Sequence, residues 1–479
     1  MAKCRKSAEK VPESDNGLLK SVGNYIKVEL TKQQQIIYKR IVEKGEVTTV
    51  EVENLLGVKQ RRARAILKEM IDKNIITRIG ASKKYKVYFE RNQSLRKHEK
   101  SRKTTFFCFF AYTWMRWFLM FNKKSRRLTI EILILVVIGV IMVGSSSRVW
   151  AQAKFNDSMY FMSRQAVFAL IGFFVMWMSS KISLTKLRGH AKIFFIICTV
   201  ALLLVLIPGL GVQRNGSRSW FGVGSFLIQP SEFFKIAIIL YVADHLAKRY
   251  RIKTFKKDLI FPCFLVALGF GLILLQPDFG SGIVMVCSIV VMVLAADSPI
   301  SYFVRVGMLG VAGLGGLILS APYRLARITS FLDPWKDPLG AGFQIIQSLF
   351  AISPGGILGV GFDNSMQKHF YLPEPQTDFI FAIFAEEFGF IGCVFLILLF
   401  LLVIYEGVKI AKNCVDPYLC YVAIGLISLF AIQVMINLGV VVGLFPVTGI
   451  TLPFISYGGS SLVVMMGSMG LLASIANEE

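Results

Sequence analysis

Residues 379–404 read FIFAIFAEEFGFIGCVFLILLFLLVI and carry only two charged side chains, Glu386 and Glu387. As an α-helix, this run is long enough to cross the hydrocarbon layer of a bilayer, which is about 30 Å thick. Comparable apolar runs recur from residue 128 onward and predict about ten membrane-spanning helices. We therefore predict an all-α polytopic membrane protein. The predicted spans are 128–147, 161–180, 193–208, 233–247, 259–275, 280–296, 302–320, 379–404, 418–443 and 456–476.

The composition agrees with a membrane protein. Hydrophobic residues make up 54% of the 479 residues, and the mean hydropathy is +0.58, more than a water-soluble core of this size needs. Charged residues are only 18% and aromatic residues 13% of the chain, which excludes disordered and collagen-like proteins. The eight cysteines are scattered, with no CxxC pair, and do not resemble the disulfide framework of a small secreted domain.

The distribution of positive charge predicts the orientation. Most of the net charge of +24 lies before residue 128. Later cations concentrate in the connections that contain Lys186, Lys253 and Lys409, which fall on the same face as residues 123–127. The positive-inside rule makes that face cytoplasmic, and an even number of spans places both termini there. The opposite face holds the connections 148–160, 209–232, 321–378 and 444–455.

Among these outer connections, residues 321–378 form the longest. A connection of this length is unusual as a passive link in a compact bundle and is more often functional. We therefore predict a large extracellular loop at 321–378 that carries the chemistry.

Residues 1–90 read as a soluble piece. Residues 1–29 are predicted to be a disordered tail, and residues 30–90 have the helix and hairpin pattern of a small winged helix-turn-helix domain. The predicted recognition helix has the residue types that contact phosphates and guanine edges. DNA binding and a protein-interaction role with a solvated basic face both remain open. The candidate DNA-binding residues are Lys59, Arg61, Arg62 and Arg64.

A basic linker and an interfacial segment at 91–127 join this piece to the first span. Residues 106–121 are aromatic and short, so an interfacial helix fits them better than an eleventh span. Met120 precedes a cationic run and a span, and translation starting there is an alternative that sequencing of the amino terminus would test.

The outer connection 209–235 reads GLGVQRNGSRSWFGVGSFLIQPSEFFK. Pro230 suits the first turn of a helix, and Glu232 and Lys235 share one helix face and can neutralise each other. The pair has two interpretations, a structural ion pair or a lysine held ready for an anionic substrate.

The long loop offers two further features. Arg324 and Arg327 lie one helical turn apart, a spacing that suits a diphosphate. Asp378 stands at the start of the 379–404 run, where it is either a helix cap or a catalytic carboxylate. Glu386 and Glu387 lie deeper in the same run, where each carboxylate needs a partner.

Six motifs occur together from residue 128 onward: NGSRSW, QPSEFFK, LLQPDFG, YRLARITSFLDPWKDPLGAGFQIIQS, NSMQKHFYLPEPQTDFIFAIFAEEFG and ITLPFISYGGSS. In this order they resemble the SEDS (shape, elongation, division and sporulation) family of peptidoglycan glycosyltransferases. The residues of these motifs are more similar to those of the division and sporulation branch of the family than to those of the elongation branch. The winged-helix piece lies outside the family pattern.

The resemblance implies a ten-helix membrane domain at 128–479 that polymerises lipid II at the outer face of the bacterial plasma membrane, at the division septum. It implies that Asp378 is catalytic and that Glu232 and Lys235 contact the substrate. It also implies a class B penicillin-binding protein and other division proteins as partners, with undecaprenyl-linked glycan as the second substrate. The remaining candidate substrate-binding residues are Arg218, Trp220, Gln229, Ser231, Asp278, Arg324, Arg327, Gln347, Gln367, Lys368 and Glu374.

Two positions depart from the family pattern. The family usually has Arg directly before the tryptophan, where this chain has Ser219, and often has His before Thr-Asp, where it has Gln376. Both departures concern the details of substrate contact.

The expected reaction is general-base attack by the sugar hydroxyl of lipid II, with Asp378 as the base and undecaprenyl diphosphate as the leaving group. The charge of that leaving group must be met by Lys, Arg or a divalent cation such as Mg²⁺ or Mn²⁺. The alternatives are a transporter of lipid II and, for the amino-terminal part, a membrane-tethered DNA-binding regulator. A transporter would be expected to show an inverted internal repeat, and the sequence shows none.

Overall fold

A computed structural model describes residues 31–44, 47–72, 76–78, 84–87, 125–214, 217–223, 226–248, 258–319, 329–340 and 342–478. The chain divides into two compact units, Met1–Phe109 and Phe110–Glu479. Several predictions lie outside the described residues: the tail 1–29, the linker and interfacial segment up to residue 124, the cationic connection 249–257, and Arg324 with Arg327.

In the part of the first unit that the structure describes, there are three helices and a three-stranded sheet. Thr48 caps the second helix in a capping box with Glu51, which satisfies backbone donors at both positions. Gly57 ends that helix in the left-handed conformation, with φ of 62°, which a residue without a Cβ adopts at little cost. The elements are α1 (Lys32–Lys44), β1 (Val47–Thr48), α2 (Thr49–Leu56), α3 (Gln60–Asp72), β2 (Ile76–Arg78) and β3 (Lys84–Val87).

The sheet of this unit has the strand order β1-β3-β2, and both strand pairs are antiparallel. Two helices joined by a short turn are followed by two antiparallel strands, one of which pairs with β1. The assignment of this unit as a winged helix-turn-helix domain stays a prediction. Its core consists of buried apolar side chains from every helix and from β1 and β2: Ile37, Ile41, Val47, Val52, Ala63, Leu67, Met70 and Ile76.

The second unit is a helical bundle. A helix lies at each of the ten stretches predicted to span the membrane, within the part of the chain that is described. Among the described residues, five helices are long and apolar enough to cross a bilayer by themselves: Arg126–Phe155, Tyr160–Ser179, Ile380–Asn413, Pro417–Val441 and Gly459–Glu478. The predicted polytopic helical fold is confirmed, whereas the number of crossings stays a prediction. The helices are α4 (Arg126–Phe155), α5 (Tyr160–Ser179), α6 (Leu184–Arg188), α7 (Ala191–Leu204), α8 (Pro230–Ala247), α9 (Ile260–Leu274), α10 (Phe279–Leu294), α11 (Ile300–Leu319), α12 (Phe343–Gly355), α13 (Ile380–Asn413), α14 (Pro417–Val441) and α15 (Gly459–Glu478).

The outer connection before α8 contains a small antiparallel sheet that the all-α prediction did not include. Strands β4 (Val212–Arg214), β5 (Ser217–Val223) and β6 (Phe226–Ile228) pair in sequence order. Asn-Gly between β4 and β5 is the dipeptide typical of a two-residue hairpin turn. The short strands satisfy backbone hydrogen bonds in a segment that is too polar to continue a membrane helix.

Helix α13 contains a break at Gly389, where the prediction had one continuous span. Gly389 has φ of 64° and ψ of −163°, values that essentially only glycine adopts. The backbone of residues 355–361 packs against the break, and the amide of Phe390 donates to the carbonyl of Gly356 at 2.9 Å. The outer loop therefore completes the hydrogen bonding of the interrupted helix.

Candidate functional site

Asp378 lies directly before α13. The cap position of this helix is Phe379, with no side-chain cap, so Asp378 precedes the position that a helix cap would occupy. Its carboxylate accepts a hydrogen bond from the hydroxyl of Thr377 at 2.6 Å, and the side chain is half-buried. The carboxylate that the sequence singled out thus stands at the boundary between the outer loop and the bundle.

The backbone around Asp378 is held by helix α14 and by the segment that precedes α15. The amide of Asn437 donates to the carbonyl of Asp378 at 2.8 Å and to the carbonyl of Ile450 at 2.7 Å. The backbone N–H of Tyr457 donates to the carbonyl of Gln376 at 2.8 Å. One buried amide therefore joins the position of Asp378 to residues 450–457.

The segment 450–457 is itself embedded in the bundle. Gln433 donates to the carbonyl of Thr451 at 3.1 Å, and Gln165 donates to the carbonyl of Ser456 at 3.0 Å. A Cβ added at Gly139 of α4 would lie 2.1 Å from the carbonyl oxygen of Phe454, so a glycine is needed for this close approach. These contacts make the segment a fixed support for the residues before α13.

Sequence reasoning missed the amides of Gln165, Gln433 and Asn437. Each is buried in a helix that otherwise reads as apolar. A polar side chain in such a helix is expected to have a partner, because an unsatisfied polar group in the bilayer interior is costly. That signal could have identified all three, and the i, i+4 spacing of Gln433 and Asn437 predicts that they share one helix face.

Glu232 and Lys235 form a buried ion pair on α8. Lys235 donates to Glu232 with 2.9 Å between Nζ and Oε1, and the two side chains are only 2% and 6% exposed. Pro230 occupies the first turn of α8, as predicted. Ser231 is fully buried beside them. The predicted pairing is confirmed, and the substrate contact of either residue stays a prediction.

Asp278 and Gln229 belong to the same region. Gln229 donates to Asp278 at 2.8 Å, and Asp278 caps α10 by accepting from the backbone N–H of Ser281 at 3.1 Å. Asp278 also interacts electrostatically with Lys235 and Glu232. The structure thus brings together four of the predicted substrate-binding residues, two carboxylates, one ammonium and one amide.

Strand β5 carries Ser219, one of the two positions where this chain departs from the family pattern. Ser219 is buried and donates to the carbonyl of Gln276 at 3.1 Å. Arg218 is half-buried and donates to the carbonyl of Leu206 at 3.4 Å, while Trp220 is also half-buried. Ser219 therefore holds the sheet against the α9–α10 connection, while the arginine one place earlier is only partly exposed.

A second buried charged cluster surrounds Lys368. Its ammonium donates to the backbone carbonyl of Asp363 at 2.6 Å, to the Asp363 carboxylate, and to Glu387 Oε1 at 3.2 Å. Ser145 of α4 donates to the same oxygen of Glu387 at 2.6 Å. Lys368 is 2% exposed, so its charge is used inside the protein, and its predicted contact with substrate stays a prediction.

Glu386 also has the partners that the sequence required. Ser365 donates to Glu386 Oε2 at 2.5 Å, and the backbone N–H of Met366 donates to Oε1 at 2.8 Å. The backbone N–H of Gln367 donates at 3.4 Å. The two adjacent glutamates of α13 therefore fix residues 363–368 of the outer loop against the bundle.

Arg148, in the last third of α4, forms an ion pair with Asp363. Burial raises the pKa of Asp363, but the hydrogen bonds and charges of Lys368 and Arg148 outweigh it and hold that pKa below its usual range. Asp363 thus joins α4 to the loop in its ionised form.

The other predicted substrate-binding residues are not gathered into one group. Gln347 on α12 is half-buried, as are Gln367 and Glu374 in the loop. The Gln376 side chain, where the family often has His, is buried. Among the described residues, no three His, Cys, Asp or Glu side chains converge where they could hold a metal ion.

The comparisons with known proteins cover the membrane domain. Residues 126–479 match the family model FTSW_RODA_SPOVE, described as "Cell cycle protein". The chain is 52% identical to stage V sporulation protein E of Bacillus subtilis, over 74% of this chain and 99% of that protein. It is 40% identical to a probable peptidoglycan glycosyltransferase FtsW of Geobacter sp., over 72% of this chain and 94% of that protein.

A solved structure has the same fold. One chain of a solved structure, described as "Structural coordination of polymerization and crosslinking by a peptidoglycan synthase complex", superposes on this protein with a TM-score of 0.62. The two sequences are 30% identical. The match covers 75% of this chain and 98% of that chain.

Proposed function

The chain belongs to the FtsW/RodA/SpoVE family of cell cycle proteins, and we propose that it polymerises lipid II into glycan strands with Asp378 as the general base. The activity class, a membrane-embedded peptidoglycan glycosyltransferase of division or sporulation, follows from the relatives and from the synthase complex. The observation that carries the catalytic assignment is the position of Asp378, a half-buried carboxylate outside the helix cap and on a backbone held by Asn437.

The proposed transfer uses lipid II as the acceptor. The 4-hydroxyl of its N-acetylglucosamine attacks the anomeric carbon of the lipid-linked glycan, and the Asp378 carboxylate takes the hydroxyl proton. The new O4–C1 bond forms with inversion as the bond from C1 to the diphosphate oxygen breaks. Undecaprenyl diphosphate leaves with the electron pair. Because Asp378 is held by the bundle, the base is positioned before the substrate arrives.

The leaving diphosphate needs positive charge. Lys235 is the candidate on α8, with Arg218 nearby in sequence on β5, and in a water-poor groove such stabilisation is worth several kcal/mol. Glu232 would keep Lys235 oriented until an anion competes for it. A divalent cation remains part of the proposal only as a substrate-bound ion, and loss of activity on chelation that Mg²⁺ or Mn²⁺ restores would support it.

We also propose that the site faces outward, at the septum, with a class B penicillin-binding protein and division proteins as partners. The cationic connections support this orientation. Cysteine labels placed near Lys253 should react only from the cytoplasm, and labels near Asp363 only from outside. Reversed labelling would reject the external site.

The rival function is transport of lipid II across the bilayer. Purified chain in detergent, incubated with lipid II and with or without the transpeptidase partner, should give glycan strands that a gel resolves by length. A detergent solution has no second compartment, so a transporter would leave lipid II unpolymerised. Absence of glycan from folded protein bound to its partner would reject the polymerase and favour the transporter.

A further inference from the structure

The amino-terminal unit lies outside the family match, which begins at residue 126, so its basic helix calls for an explanation of its own. The unit has its own core, to which α3 contributes Ala63, Leu67 and Met70, all fully buried. The turn at Gly57 and the capping box of α2 fix where α3 begins. The orientation of α3 within this unit is therefore determined by packing, and its outer face is presented as a fixed surface.

That outer face carries a stripe of cations. Arg61, Arg64 and Lys68 are exposed and follow the spacing i, i+3, i+7, which places them on one side of the helix. At 3.6 residues per turn, this side of the helix is rotated by roughly 125° from the side that carries Ala63, Leu67 and Met70. No ion pair between described residues involves these three cations. Their charge is available to an external anion.

We propose that this unit binds duplex DNA, with the Arg61–Arg64–Lys68 stripe of α3 in the major groove. The second helix of a helix-turn-helix enters the major groove with its amino-terminal residues toward the base edges. Arg61 and Arg64 lie in the amino-terminal half of α3, where a guanidinium can donate two hydrogen bonds to a guanine edge. Lys59 and Arg62, also exposed, would contact phosphates beside the groove.

The observations favour DNA over an anionic membrane surface. A helix that lies in a membrane interface inserts an apolar face between the lipids. In α3 the apolar side chains are already used in the core of the unit, and the exposed face includes Glu69 and Asp72 besides the cations. The planar guanidinium groups of Arg61, Arg62 and Arg64 suit phosphates and base edges, for which arginine is preferred over lysine.

DNA is in the cytoplasm, so this inference requires the amino end on the cytoplasmic face, the orientation that the loop cations predict. It does not depend on the glycosyltransferase activity. The consequence is a wall-synthesis protein that also contacts the chromosome.

The test uses the full chain in neutral detergent and a fluorescent pool of random 30-base-pair duplexes, with binding followed by anisotropy. We expect a Kd in the micromolar range at physiological salt that weakens steeply as salt rises. The triple variant Arg61→Gln, Arg64→Gln, Lys68→Gln should weaken binding by at least about 10-fold and reduce the log–log salt slope by about 3, one for each lost contact. Glycan polymerisation should be unchanged, and limited proteolysis of the amino-terminal unit, compared with that of the unaltered chain, checks that the variant unit is folded.

The matched control removes the same charge from exposed positions of α1 through Lys32→Gln, Lys39→Gln and Arg40→Gln. We expect it to bind clearly better than the α3 variant. Equal losses of affinity in both variants would mean that only the net charge of the unit matters, and they would overturn the proposed groove contact. Failure of the unaltered chain to bind the duplex would also overturn it and leave an anionic surface as the ligand of the stripe.

Discussion

Lys235 donates a hydrogen bond to Glu232 one turn earlier on α8, with 2.9 Å between the atoms, and both side chains are nearly completely buried. The double variant Glu232→Gln, Lys235→Gln should therefore recover much of the stability that either single variant loses. A lone buried charge costs more than a missing pair, by about 3 to 5 kcal/mol. Thermal unfolding in detergent measures the stability of the two single variants and of the double variant.

The same double variant separates a structural role from a substrate role. If Lys235 meets the diphosphate, the double variant should fold and bind its partner yet remain inactive with lipid II. Polymerisation restored together with stability would assign the pair to structure alone.

Because Lys368 is at the centre of a buried charged cluster, we expect that its replacement by an uncharged residue greatly destabilises the folded protein. Lys368→Gln leaves Glu387 and Asp363 without their shared ammonium, and we expect a cost of about 3 kcal/mol or more. Lys336→Gln is the matched control, because Lys336 also pairs with an aspartate but is 79% exposed. Exposed pairs contribute at most about 1 kcal/mol. Melting temperatures that fall equally in both variants would contradict the buried role of Lys368.

The break in α13 predicts that Gly389 tolerates no side chain. A Cβ at this position would lie 2.3 Å from the backbone nitrogen of Gly359 and would sit at a positive φ. Gly389→Ala should therefore destabilise the folded protein by about 2 kcal/mol or more. At Gly271, inside α9, an added Cβ meets no atom within 4 Å, and Gly271→Ala should be neutral or slightly stabilising. A neutral Gly389→Ala would mean that the loop does not pack against the break.

Much of this architecture could be predicted because membrane helices are specified locally. Each span needs only its own apolar run, so the ten helices and the pairing of Glu232 with Lys235 follow from spacing. The break at Gly389 could not be predicted, because it depends on residues 355–361, which return from another part of the loop. The partners of Lys368 and Asn437 are likewise distant in sequence, and only the fold brings them together.

The ion pairs of Asp363 predict that its contribution to the stability of the folded protein decreases at acidic pH. Its pKa is lower in the folded protein, so its contribution to stability is present above the unfolded value of about 4 and is lost as pH falls through the folded value. The difference in melting temperature between the unaltered chain and Asp363→Asn should be largest near neutral pH and shrink below about pH 4. Asp333→Asn, which removes an aspartate from an exposed ion pair, is the control for the loss of a carboxylate. A difference in melting temperature that grows as the pH falls would contradict this prediction.

Asp378 gives the sharpest test of the proposed mechanism. Asn keeps the size of Asp and caps helices about as well, and Phe379 holds the cap position in any case, so Asp378→Asn should fold and bind its partner normally. The amide cannot accept the hydroxyl proton as the carboxylate does, so lipid II polymerisation should fall by at least about 100-fold, the low end for loss of a general base. Thr377→Val, which removes only the hydroxyl that donates to Asp378 at 2.6 Å, is the matched control and should cost far less. Near-normal polymerisation by Asp378→Asn, in protein shown to be folded and bound to its transpeptidase, would reject the catalytic assignment and return lipid II transport to consideration.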